Sequence, residues 1–247
     1  MIIEVRAKNC YVFGENITFS MKADMRNKRF GANVHKENNF NVLKTVGIYG
    51  PNNAGKTCLI KCIRAIKYVL LNKKNGLMPN IFTDSKVCEL GVTFMLSGRK
   101  FSYDFKYDVD KEIYIYESFS EVFKDRYNNE KEVCWLKKDS ENDIYECADE
   151  DLQMMIPVMS KGNLLCYLID TSKFEHLDEM KNILIEFAEK IDIINMNDIP
   201  MQHTIELMKN KNQVQKKIVE FIKNADLYMD NFEYVDMEKI KFKALDS

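Results

Sequence analysis

The chain has 247 residues, 46% of them hydrophobic and 30% charged, a composition that supports one large or two small cores and excludes a disordered chain. Lys and Arg number 36 against 38 Asp and Glu, so nothing in the whole-chain charge draws it to nucleic acid or to an anionic membrane, and such a partner would need a local patch. Seven cysteines, an odd number without a C-x-x-C pair, and only three histidines argue against a disulfide framework and a zinc site and for reduced, mostly buried thiols.

The N-terminus, Met1-Ile2-Ile3-Glu4-Val5-Arg6, carries no basic region followed by an apolar run, and no stretch reaches the length that spans a bilayer. The expected compartment is the cytoplasm, with no membrane partner. Ile2 to Ala7 and Ile17 to Ala23 alternate apolar with polar residues and are predicted as strands of a hairpin or meander. Asp24 to Asn41, rich in Asn, Lys and Arg without a period, reads as a mobile loop. Thr45 to Tyr49 then reads as a short buried strand.

Directly after it stands Gly50-Pro51-Asn52-Asn53-Ala54-Gly55-Lys56-Thr57, which fits G-x-x-x-x-G-K-[ST] at every fixed position. From Lys56 onward, Leu59, Ile60, Ile63, Ile66 and Leu70 recur at helical spacing. Strand, glycine loop and helix together predict a phosphate-binding loop, because a helix N-terminus offers unpaired N–H groups and the positive end of the helix dipole to an anion. Gly50 and Gly55 allow close backbone approach, and Asn53 tolerates the left-handed region, which keeps a nest of inward N–H groups. Residues Gly50 to Cys58 are the candidate ATP-binding set. Lys56 is the candidate catalytic residue, reaching the β- and γ-phosphates, and the Thr57 hydroxyl is the candidate Mg²⁺ ligand. Cys58 and Cys62, one turn apart, are read as core thiols rather than a redox pair.

Asn72 to Pro79 breaks the helical pattern. Leu90 to Leu96, a turn at Ser97 to Lys100, and Phe101 to Tyr107 predict a hairpin, with further strands at Ile113 to Tyr116 and Val133 to Leu136. The row Phe101, Tyr103, Phe105 and Tyr107 could stack on bases; core packing is the reading taken, since aromatics on one strand face ordinarily turn inward. From Ser160 the character becomes helical, with predicted helices over Lys181 to Glu189 and Ile205 to Asp226. Lys209-Asn210-Lys211 and Lys216-Lys217 form a modest basic face, by default solvated and alternatively a nucleic-acid contact. Leu164 to Asp170 has the form of an apolar strand ending in a metal-binding carboxylate, but it fits a helix equally and is followed by Thr171. Leu96-Ser97-Gly98 looks like a cassette signature yet falls in a hairpin turn.

The loop differs from the common cassette form Gly-Pro-Asn-Gly-Ala-Gly-Lys-Thr only at Asn53, and the chain from Met1 to about Tyr116 resembles bacterial ATP-binding proteins of the AAA/ABC-like group. That group includes SMC-like, RecF-like and many anti-phage defence ATPases. In Lys8-Asn9-Cys10-Tyr11-Val12-Phe13, Tyr11 stands where such proteins carry an arginine. The resemblance implies an α/β P-loop NTPase first lobe with an antiparallel β-sheet, followed by a helical insertion. Its expected division is a nucleotide-binding lobe over 1–158 and a helical region over 159–247. The second lobe, with signature and Walker B elements, is not found in the sequence, so hydrolysis is expected of the complete assembly. The resemblance also implies ATP and Mg²⁺ as ligands, and a homodimer or larger oligomer formed by a nucleotide sandwich. It further suggests control of a partner effector or nucleic acid, with a non-hydrolysing nucleotide sensor as the alternative. A small-molecule kinase fits less well, because a long β-rich segment precedes Gly50.

Overall fold

As far as Cys147 the regular structure is mostly strand, as segments that alternate apolar with polar residues require of half-buried sheets. The computed structural model describes residues 1–26, 31–127, 129–158 and 170–194, with Leu164, Tyr167, Lys216, Lys217 and Glu220 as isolated positions. Nine strands are described: β1 Ile2–Lys8, β2 Ile17–Ser20, β3 Val34–Glu37, β4 Phe40–Leu43, β5 Val87–Leu96, β6 Arg99–Asp108, β7 Ile113–Lys124, β8 Glu130–Asp139 and β9 Ile144–Cys147. Seven of them form one sheet in the order β2-β1-β5-β6-β7-β8-β9, every neighbouring pair antiparallel, while β3 and β4 pair separately. The α-helices described in full are α1 Lys56–Leu70, α2 Glu150–Met155 and α3 Glu175–Glu189. The fold class is thus mixed α/β around an antiparallel sheet.

Register decides which side chains meet. Val92 lies opposite Val5 and Tyr103, Phe94 opposite Phe101, and Phe119 opposite Tyr103 and Leu136. These residues share one face, and Phe101, Tyr103 and Phe105 are buried in it, which bears out the core reading for those three, while Tyr107, beyond a register shift, is half-buried. Phe187 of α3 stacks on Phe94 with centroids 3.8 Å apart, and Trp135 meets Phe101 and Phe119 edge-on. Arg99 fastens the same helix: its guanidinium lies over Phe101 and Trp135, pairs with both oxygens of Glu121 at 2.8 and 2.7 Å, and reaches Glu179 at 2.5 Å. Glu121 holds that guanidinium firmly charged.

The opposite face is polar. Arg6 donates to Asp104 with Nε and Nη2, each at 3.0 Å, and to the hydroxyls of Thr93 and Ser102. It crosses β5 at Gly91, where a β-carbon would fall 1.9 Å from Asp104 Oδ1 and 2.9 Å from Arg6 Nε, so only glycine leaves room for the pair. At one end of this face, Ile3, Phe40, Val42 and Met95 form a small second core. There the expected mobile loop over Asp24 to Asn41 proves largely structured: a 3-10 turn at Gly31–Asn33 leads into the β3-β4 hairpin, turning at Asn38 and Asn39 with φ of 46° and 66°. Strands of four residues carry too few periods to announce themselves. Burial of Phe40 and Val42 against β1 and β5 supplies what their local sequence lacks.

Several expected elements are present with different bounds. The turn between β5 and β6 is the pair Ser97-Gly98, with φ of 50° and 80°, which accounts for the signature-like tripeptide. β7 and β8 run well beyond the expected Ile113 to Tyr116 and Val133 to Leu136, and α3 begins before Lys181. β9 and α2 were not expected.

Met1–Asp192 is one compact unit, and Ile193–Ser247 is a second. In the second, Lys216, Lys217 and Glu220 are helical and exposed, and the remainder of the expected helix over Ile205 to Asp226, including Lys209 to Lys211, lies outside the described residues. Removing the ring that seals α3 to the sheet should be costly: Phe187→Ala is expected to lower unfolding free energy by about 3–5 kcal/mol, measured by urea denaturation.

Candidate functional site

α1 forms because residues 56–70 place Leu59, Cys62, Ala65, Ile66, Val69 and Leu70 on one buried stripe. That stripe fixes the helix against the sheet and α3, and Lys67 Nζ in its last turn donates to the carbonyl of Ile191. The N-terminus is left outward. Its N-cap is Gly55 with φ 86°, no side chain caps the first turn, and that turn holds no acid. Leu59 N–H closes the first helical bond onto Gly55 O at 3.1 Å. The amides of Lys56, Thr57 and Cys58 precede that bond and belong to the donors that a helix start leaves free.

The loop ahead of the helix is wound by its own backbone. Ala54 N–H donates to Pro51 O at 3.3 Å, and Asn53 takes φ 63°, as its tolerance of the left-handed region allows. Gly50, Pro51, Asn52, Asn53, Ala54 and Thr57 are exposed, Gly55, Lys56 and Cys58 half-buried. Lys56 folds back, donating to Gly50 O at 2.7 Å and to Pro51 O at 2.6 Å. Its ammonium therefore rests on two carbonyl oxygens at the mouth of the loop, where an anion's oxygens could take their place. Gly55 has a neighbour that spacing could not reveal: a β-carbon there would lie 3.2 Å from both Val12 and Phe13.

The segment leading into the loop departs from expectation. Thr45 to Tyr49 is neither paired nor buried: Thr45 is clasped by Asn33, through N–H to Oδ1 and Nδ2–H to O, both at 2.9 Å, but Val46 and Ile48 are exposed and Tyr49 is 93% exposed. Apolar residues at such spacing form a strand only when a neighbouring strand accepts their backbone groups, and no described strand lies alongside.

Tyr11 is engaged by α1 and the segment after it: its hydroxyl donates to Gly76 O at 3.1 Å and Lys61 Nζ sits 5.7 Å from the centre of its ring, while burial raises its pKa. The six described cysteines are free thiols. Burial, aided by Cys58 and Cys88, pushes Cys62 up to about 12, and hydrogen bonding with Cys88 followed by burial raises Cys10. These thiols stay protonated near neutrality, in keeping with a core role. Asp170 caps a 3-10 turn, accepting from Ser172 N–H at 3.2 Å and its hydroxyl at 2.6 Å. Most of Leu164 to Ile169 lies outside the described residues. No group of His, Cys, Asp or Glu among the described residues is arranged to hold a metal, and no described helix is long and apolar enough to cross a membrane.

A family model described as an AAA domain matches residues 30–226. No curated protein matches the chain.

Gly55 carries the sharpest steric demand in the loop. Gly55→Ala should cost about 1–2 kcal/mol from its left-handed backbone alone, with further strain against Val12 and Phe13, lowering the thermal midpoint by several degrees in calorimetry.

Proposed function

This chain belongs to the AAA domain family, whose match covers residues 30–226, and from that footing we propose that Gly50 to Cys58 hold the phosphates of ATP in a cassette-type ATPase lobe. AAA domains are nucleotide-binding ATPases that generally take ATP with Mg²⁺. The observation that carries the assignment to this loop is the exposed, uncapped start of α1, with Lys56 Nζ parked on the carbonyls of Gly50 and Pro51.

In this reading the loop's main-chain N–H groups, with those of Lys56, Thr57 and Cys58, bind phosphate oxygens. Lys56 exchanges its two carbonyl partners for the β- and γ-phosphates, and its fixed charge favours the charge that builds there during transfer. The Thr57 hydroxyl is exposed and would hold Mg²⁺, whose contribution is to screen the phosphate charges. The left-handed angles at Asn53 and Gly55 are of the kind that turns successive backbone N–H groups inward toward an anion.

The wider role we propose is that ATP binding and hydrolysis drive closure of two copies around nucleotide, controlling a partner effector or nucleic acid, in a cytoplasmic setting and with anti-phage defence as the context the resemblance suggests. The exposed Val46, Ile48 and Tyr49 beside the loop support a contact there with another chain or segment. A non-hydrolysing sensor is the second reading, favoured by the engagement of Asp170 in its own turn.

Lys56→Ala should weaken MgATP binding by about tenfold or more, since charge-assisted bonds are worth roughly 1.5–3 kcal/mol each, with the circular dichroism spectrum unchanged. Equal affinity in that variant by calorimetry would defeat the assignment. Mg²⁺-dependent phosphate release by the chain alone would exclude the sensor, and mass measurement with and without ATP checks the pairing.

A further inference from the structure

Two short turns beside the Gly50–Thr57 loop carry large apolar side chains where turns ordinarily carry polar residues or glycine. In the first, Cys10 and Phe13 form an isolated antiparallel bridge, which puts Tyr11 and Val12 at the tip; Val12 is 53% exposed. In the second, Thr83 N–H donates to Asn80 O at 3.2 Å, and the tip is Ile81-Phe82, 82% and 89% exposed.

The two turns are bound to each other. Tyr11 N–H donates to Met78 O at 2.8 Å, Asn80 Nδ2 donates to Tyr11 O at 3.0 Å, and Asn80 Oδ1 accepts the N–H of Phe82 at 2.8 Å. Beneath them lies the buried amide of Asn9. Its oxygen accepts from Asn80 N–H at 3.1 Å and from the Thr83 hydroxyl, and its nitrogen donates to the carbonyls of Ser85 and Val87 at 2.7 and 2.9 Å. A buried network this fully used is stiff. The exposed tips are therefore held in place, and the ordering cost that a ligand would otherwise meet has already been met by the fold.

Exposing Ile81 and Phe82 gains the fold nothing, and a local rule broken without structural return marks a functional position. The patch is small: one flat ring with branched neighbours matches a planar heterocycle better than a protein interface, which needs 20–30 residues a side. Val12 ties the first turn to the loop, standing within 3.2 Å of where a Gly55 β-carbon would be.

We propose that Val12, Ile81 and Phe82 form the platform on which the base of a bound nucleotide rests, with Phe82 as the stacking ring. The proposal depends on the phosphate-loop reading above and adds the base end of the same ligand. Stacking on a ring is tolerant of base identity, so ATP and GTP should both use it.

The test separates base from phosphate by titrating the full chain with MgATP and, in parallel, with magnesium tripolyphosphate. Phe82→Ala is expected to weaken ATP about tenfold while leaving tripolyphosphate affinity unchanged, which also reports an intact fold. Phe82→Trp should keep ATP binding and show fluorescence quenching with ATP but not with tripolyphosphate. Unaltered ATP affinity in Phe82→Ala, with tripolyphosphate still bound, overturns the platform and leaves the phosphate loop standing. A wild-type chain that binds neither ligand overturns both.

Discussion

Burial of one stripe of α1 is the constraint on which the rest depends. Leu59, Cys62, Ile66 and Val69 can leave water only against the sheet and α3, and once they do, the helix axis is fixed and its N-terminus has one place to be. The loop inherits that position. An amide cluster at a helix start is an anion site only if it neither frays nor is covered, and a buried stripe at 59–70 with an open end at 55–58 meets both conditions.

The sheet divides its labour by face. Its inner face is aromatic, closed by Phe187 and by an arginine that is both stacked and paired, so the charge of Arg99 is spent on holding α3 in register rather than on a ligand. Its outer face carries Glu4, Arg6 and Asp104 over Gly91, a latch between β1 and β6 that reaches across β5. A third arrangement sits at the end of that face, where Lys100 and Lys124 flank the Phe40 ring at 4.5 and 5.1 Å and Glu130 takes Lys100 at 2.8 Å. Burial lowers the Lys100 pKa even so, while Glu130, though burial opposes it, is held below the ordinary carboxylate range by Lys100. The lowered Lys100 reflects the cost of burying an ammonium, and the lowered Glu130 reflects the pairing that offsets it.

Exposed apolar side chains occur on several parts of the described surface, Tyr127 and Met154 among them, and one group of them stands beside the loop. Val12, Ile48, Tyr49, Ile81 and Phe82 all lie on segments that either contain the loop, touch Gly55 or bind the turn that does. Charged loops would have kept this neighbourhood more soluble. Their absence at these five positions fits a site whose surroundings are meant to be covered when it is in use.

The sequence by itself determined the loop, the helix behind it and most of the sheet, because each rests on local chemistry: glycines at fixed offsets, a period near four over Leu59 to Leu70, a period of two over Phe101 to Tyr107. That Thr45 to Tyr49 stays exposed and unpaired was not legible. An extended apolar pentapeptide reads the same whether or not a neighbouring strand exists, and hydrogen-bond partners distant in sequence leave no mark on it. Tertiary structure alone decided the β3-β4 hairpin, whose four-residue strands are held by Ile3 and Met95, and the Asn9–Asn80–Thr83 knot, which joins residues some seventy positions apart. Contacts of that range are set by how the sheet folds back on itself, and no spacing along the chain encodes them.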